Sequence, residues 1–226
     1  MAVRPVFVVN HLAPFFRTVD VEFVYNRGLS ASQKRKNICA IHEGFNRMYP
    51  NPVLEISSKS MQEGGKELSA FNLPKYVASL QRRVPVECAY HAGKVFQNGG
   101  PYTDLLSASP RDAKHDPRLK NSGALVGFAF EGQQFPLKPL YLFYNYLYIS
   151  ALMENPKLAE VVLQYRAFTD IEFAPKSSVN CQAAAAATFV SLHKLDLLEQ
   201  VKNVESFYKL LTDAEYVKGS TEVVKS

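Results

Sequence analysis

The chain opens on two runs of β-branched and aromatic residues, Val3 to Val9 and Val21 to Tyr25, and both are predicted to be strands. In the second, Val21, Phe23 and Tyr25 share one face. The spacing then changes. Ser30-x-x-Gln33 has the form of a capping box, and Ile38, Ile41, His42 and Phe45 recur at helical intervals. They predict an amphipathic helix over 31–47 whose other face carries Lys34, Arg35 and Lys36. Pro50 and Pro52 end it, Val53 to Ser57 reads as another short strand, and Met61 to Lys66, with Gly64-Gly65, reads as a mobile loop.

Pro85 marks a second helix start, with Glu87 in the first turn and the helix running to about Phe96, before Asn98-Gly99-Gly100-Pro101 breaks it. A further helix begins with Ser109 as N-cap, Pro110 at the first helical position and Asp112 closing a box. Ala124 to Phe130 and Gln133 to Pro136, either side of Glu131-Gly132, predict a hairpin or a loop with strand character. From Pro139 the pattern is mostly helical: Tyr141 to Met153, Pro156 to Tyr165, and Val179 to His193, the last containing the tightly packing run Ala183 to Ala187. No internal repeat is visible. The order predicts an α+β fold, a small mixed sheet surrounded by helices with a predominantly helical C-terminal half.

With 226 residues and 47% hydrophobic content the chain can bury a full core in one domain, expected to span 1–226 with a frayed tail at about 219–226. The 26 Lys and Arg against 21 Asp and Glu give a net charge of +5, which suits an anionic partner such as a nucleotide or DNA and suits solubility equally well. Cys39, Cys88 and Cys181 lie far apart without zinc spacing or a disulfide framework, which fits a reducing cytosol. An early Arg4 and Pro5 and a short apolar run, Val6 to Val9, lack the form of a signal peptide, and no apolar stretch approaches the ~20 residues of a membrane span. The expected location is cytoplasmic, away from membranes.

No G-x-S-x-G, P-loop, G-x-G-x-x-G or H-E-x-x-H motif is present. What remains is polar residues set in apolar segments. Glu87 and Lys94 are seven positions apart and would share a helix face, and a carboxylate among apolar neighbours tends toward a raised pKa, the habitat of an acid or base. A carboxylate satisfying a helix start beside a surface lysine has the same pattern. Asp170 and Glu172 alternate within Phe168-Thr-Asp-Ile-Glu-Phe173, as a functional pair or a solvated strand edge would. Lys59 follows a strand end among Ser57, Ser58 and Ser60.

Read in order over roughly residues 53 to 195, these segments resemble the NADAR family of N-glycosidases. Glu55-Ile-Ser-Ser-Lys59 with Leu68-Ser-Ala-Phe-Asn72 resembles the family's first strand and its Phe-Ser-Asn-Phe-like segment. Val86-Glu-Cys-Ala-Tyr-His-Ala-Gly-Lys-Val-Phe96 resembles its Ser-Glu-His-Tyr-Phe-Gln-Ala-Gln-Lys-Phe helix, with Glu87 on the catalytic glutamate and Lys94 on the helix lysine. Ser109-Pro-Arg-Asp-Ala-Lys114 is similar to a Ser-Pro-x-x-Ala-x element, and Leu147 to Tyr165 to the Ala-Leu-x-x-Lys-Phe region. Asn180 falls on the Asn of a Gly-x-Asn-x-Leu-Gly ending. The chain has no Trp and so lacks the family's Trp-Gly element. The first fifty residues stand as an N-terminal extension (about 1–50). They, Leu29-Ser-Ala-Ser-Gln-Lys and Asp170-Ile-Glu-Phe look like the NADAR antitoxins paired with DarT-type toxins.

The resemblance implies a NADAR fold and cleavage of the bond between a guanine nitrogen and the anomeric carbon of ADP-ribose, through an oxocarbenium-like transition state. It implies Glu87 as catalytic carboxylate, Asp170 as the second, and Glu172 as its substitute two residues on. Lys59 is the candidate to attack the anomeric carbon as a Schiff-base lysine, or to bind phosphate. Ser109 to Arg111 would hold the pyrophosphate, with Phe71, Tyr90 or Phe128 as base platform, and Ser58, Asn72, Lys94 and Asn180 as further substrate contacts. No cofactor or metal is implied. The partners would be ADP-ribosylated guanine in DNA and a cognate DarT-type toxin. A non-catalytic module binding ADP-ribose and a metabolic N-glycosidase acting on a small ribosyl-amine are the other readings.

Overall fold

A computed structural model of the chain describes residues 1–174 and 180–213. Strands β1 (Ala2–Val9) and β2 (Phe16–Phe23) pair antiparallel over their full lengths. The second strand thus starts earlier than the 21–25 expectation and stops short of Tyr25. Helix α1 (Ala31–Met48) begins as predicted, with Ser30 Oγ accepting the Gln33 N–H at 3.3 Å. After β3 (Val53–Glu55) come β4 (Pro74–Val77), β5 (Arg82–Pro85), α2 (Val86–Ala92) and β6 (Lys94–Phe96). Helices α3 (Pro110–His115) and α4 (Arg118–Asn121) precede the hairpin of β7 (Leu125–Phe130) and β8 (Gln133–Pro136). The last third holds α5 (Leu142–Met153), α6 (Pro156–Leu163), β9 (Ala167–Thr169), α7 (Gln182–Lys194) and α8 (Val204–Thr212). Val179 and the 219–226 tail lie outside the described residues.

The class is α+β, but the strands form three small sheets rather than one. The largest has the order β2-β1-β9-β3, antiparallel except for β3 on β9; β4 pairs with β5, and β6-β7-β8 make a meander. Strand alternation divides the large sheet between two cores. Val6, Val21, Phe23, Val53 and Ala167 face Ile38, Ile41 and Phe45 of α1, while Phe7, Leu54 and Phe168 join Phe143, Leu147 and Phe189 of α5 and α7. Residues 2–48, expected as an extension, therefore supply half of this sheet and the helix covering one of its faces. Ala183 to Ala187 are all buried, and their small side chains let α7 lie close against α5 and β1. Among the described residues no helix is long and apolar enough to cross a membrane.

Two local expectations fail for physical reasons. The second helix stops at Ala92 instead of Phe96. Gly93 packs where a Cβ would lie 2.6 Å from the Phe143 ring, and the next residues pair with β7, Lys94 opposite Phe128. A ladder partner far along the chain overrides the helical spacing. Residues 61–66, expected as a loop, form a turn packed against β3. Gln62 accepts the Glu55 N–H at 2.8 Å and donates to the Val53 carbonyl at 2.7 Å, clamping the turn to β3, and Gly64 and Gly65 are buried beneath it.

Candidate active site

The α2 start is built without a side-chain cap. The Val86 N–H donates to the Leu73 carbonyl at 3.0 Å and the Glu87 N–H to the Ala70 carbonyl at 2.9 Å, so the preceding loop satisfies two of its open donors. This anchors Glu87 on the first turn, pointing into a cavity of about 580 Å³, within the range of small-molecule sites. Across the cavity from Glu87 lie Asp170, Glu172 and Phe173, which follow β9, and Asn180, which precedes α7. Gln182, the first residue of α7, joins that helix to the loop before α2 and to the residue after β3, accepting the Ala70 N–H at 2.8 Å and donating to the Ile56 carbonyl at 2.7 Å.

Glu87 sits in a chain of hydrogen-bonded polar groups. His91, one helical turn on, lies with Nε2 3.2 Å from Glu87 Oε1, and its Nδ1 lies 3.1 Å from Lys94 Nζ. An ionised carboxylate only accepts, so His91 carries its proton on Nε2 and its Nδ1 accepts from Lys94. Lys114 of α3 closes on the same Oε1 at 3.2 Å and lies 5.2 Å over the Phe71 ring. Burial pushes the Glu87 carboxyl up, but the His91 hydrogen bond and the Lys114 charge outweigh it and hold the group below its ordinary value. The raised pKa expected from apolar neighbours is therefore reversed. Lys94, 4.6 Å over the Tyr90 ring, is pushed down to about 8, chiefly by burial.

The second acid has the opposite setting. β9 ends at Thr169, so Asp170 and Glu172 do not alternate along a strand edge as expected but lie in a turn. There Asp170 Oδ1 accepts the N–H groups of Glu172 at 2.9 Å and Phe173 at 3.2 Å. Burial, then the charge of Glu55 nearby, pushes Asp170 up to about 8. Glu172 stands at the rim, where Lys34 of α1 reaches it at 2.6 Å and Lys59 at 3.8 Å.

Of the residues singled out from sequence, Glu87, Asp170, Ser58, Phe71, Tyr90, Lys94, Glu172 and Asn180 line the one cavity, and so does Phe128. Asn180 donates to the Tyr90 hydroxyl at 2.6 Å, fixing that ring against Phe128, 5.9 Å away. Three do not line it. Lys59 lies outside the wall, its Nζ donating to Ser58 Oγ at 2.8 Å; Asn72 is exposed and donates to the Lys66 carbonyl; Arg111 is exposed, and the cation that α3 directs inward is Lys114. Sequence reasoning missed His91, Lys114, Ser69, Tyr144, Phe173 and Gln182, all in the wall. His91 carried a signal, its i,i+4 spacing from Glu87; Tyr144 and Gln182 look like core from the sequence. Among the described residues no cluster of three or more His, Cys, Asp or Glu is arranged to hold a metal ion.

The model of one protein family, described as DarT1-associated NADAR antitoxin, matches residues 2–221. A search of curated proteins finds no match.

Proposed function

The chain belongs to the family of DarT1-associated NADAR antitoxins, and from that premise we propose that it is an N-glycosidase that removes ADP-ribose from guanine bases in DNA and so reverses the work of a DarT1 toxin. The observation that carries this reading is a pair of carboxyls in one cavity with opposed environments. Glu87 is held ionised by His91 and Lys114, while Asp170 is pushed up to about 8 and keeps a proton at neutral pH. Glycoside cleavage needs both states, an anion facing the sugar and an acid facing the leaving group.

In this mechanism Asp170 gives its proton to the guanine nitrogen as the N-glycosidic bond breaks and the bonding pair stays on the base. Positive charge growing on the anomeric carbon faces the Glu87 carboxylate. Lys94 takes the nucleophile's place in preference to Lys59, because it lines the cavity and, at about 8, supplies neutral amine near physiological pH. Its Nζ bonds the anomeric carbon and passes a proton to the Asp170 carboxylate left when the base departed. The ribose ring then opens to the imine, and water releases free ADP-ribose and the lysine. Tyr90 and Phe128 offer a face for a base, and Lys114 is a cavity-lining cation for the pyrophosphate.

The test is a DNA oligonucleotide ADP-ribosylated on guanine, incubated with wild type and with Glu87→Gln. Wild type is expected to release free ADP-ribose, and the variant to do so at least about 100-fold more slowly. An oligonucleotide bound by both and cleaved by neither would establish a binding module. One neither bound nor cleaved would turn attention to small ribosyl-amines.

A further inference from the structure

Glu55 is a carboxyl buried to 1% exposure that the mechanism above leaves idle. It closes β3, and both of its oxygens receive donors from the neighbouring strand β9 and the turn after it. Oε2 accepts the Thr169 O–H at 2.6 Å, and Oε1 accepts the Ile171 N–H at 2.9 Å. Thr169 Oγ1, its own proton committed, accepts from His42 Nε2 at 2.8 Å, which fixes the proton of that buried ring on Nε2. The two residues that bind Glu55 flank Asp170, so the chain from α1 through β9 to β3 sets where the Asp170 turn lies.

We propose that Glu55 is a positioning residue for the reaction, and that its anchored carboxylate keeps the single proton shared by the two neighbouring acids on Asp170. The proposal rests on reading Asp170 as the acid. The asymmetry is one of hydrogen bonds. Burial pushes the Glu55 carboxyl up, but the Ile171 N–H, the Thr169 O–H and the Ser57 hydroxyl, whose oxygen already accepts the Lys59 N–H at 3.1 Å, all bond to it and favour its ionised form. Asp170 receives both of its backbone donors on Oδ1, leaving Oδ2 to carry a proton. Two neighbouring carboxyls cannot both ionise cheaply, so the pair titrates as a unit, and Asp170, with two donors against three on Glu55, keeps the proton. Among the groups that bear on Asp170, Glu55 comes from β3 and Glu172 from its own turn, the latter paired with Lys34 and Lys59. Tyr144 and Tyr148 of α5 and Cys181 before α7 are all held neutral by burial.

The experiment compares wild type, Glu55→Gln and Thr169→Val. Gln removes the neighbouring charge at constant shape; Val removes a donor from Glu55 and draws the shared proton to it. Both are expected to lower the pH at which Asp170 ionises by about one unit or more. Carboxyl NMR of ¹³C-aspartate-labelled full-length protein reads this without substrate, and the alkaline limb of ADP-ribose release should move by the same amount. An Asp170 titration unmoved in both variants overturns the proposal, as does a rate lowered equally at every pH, which would mark a structural role. If the NMR shift occurs while wild type cleaves no oligonucleotide, the glycosidase reading fails and the proton placement stands.

Discussion

Two lysines, Lys94 and Lys59, meet the requirements for a nucleophile to different degrees. Lys94 is enclosed among His91, Tyr90 and the Glu87 charge, and burial pushes it down to about 8. Lys59 reaches toward solvent with Ser58 and Glu172 as its partners. Lys94→Ala is expected to lose at least about 100-fold in ADP-ribose release and all adduct trapped by borohydride, while Lys59→Ala keeps release within about threefold and still traps. Trapping in Lys94→Ala would sink this assignment. Glu87 was recognisable from the sequence as a polar residue in an apolar helix, and Asp170 by its alternation with Glu172. Their protonation was not. It depends on burial first, then on the His91 hydrogen bond and on Lys114 arriving from α3 and Glu55 from β3, most of which only the tertiary structure supplies.

Elements whose signals are local are the ones the sequence announces correctly. Ser30 caps α1, apolar spacing sets the face it buries, and Glu131-Gly132 turns the β7–β8 hairpin with φ +48° and +77°, the left-handed pair a tight hairpin wants. β6 was missed because its stability comes from β7, and the 61–66 turn because two glycines suggest freedom when here they allow close packing. Gly65 shows the difference. An added Cβ would run into Ser60 Oγ and the Glu55 carbonyl. Gly65→Ala is thus expected to destabilise by about 1–3 kcal/mol, lowering Tm by several degrees, since overpacking at backbone contact is not relieved by a rotamer change. Because the turn is clamped to β3, release of ADP-ribose should fall with it, and an unchanged Tm would mean the turn yields.

For the whole molecule, the site is held in a state that the folded chain maintains against its own stability. Asp170 ionises near its ordinary 3.8 when unfolded and at about 8 when folded. Between these values the folded chain binds a proton that the unfolded chain has released, so stability contributed below pH 4 is lost as pH rises toward 8. Lys94, pushed down from 10.5 to about 8, acts with the opposite sign only above pH 8. The sandwich of α1, the large sheet and α7, with its two buried cores, supplies the surplus that offsets this cost. Asp170→Asn keeps the oxygen that accepts the Glu172 and Phe173 N–H groups and removes the titration. It is therefore expected to abolish cleavage yet exceed wild type in stability by a margin that grows from pH 5 to pH 8, reaching on the order of a few kcal/mol. Denaturant midpoints at the two pH values measure the margin. A margin that stays constant would mean that Asp170 ionises as it does in the unfolded chain, and the acid in the cavity would have to be sought elsewhere.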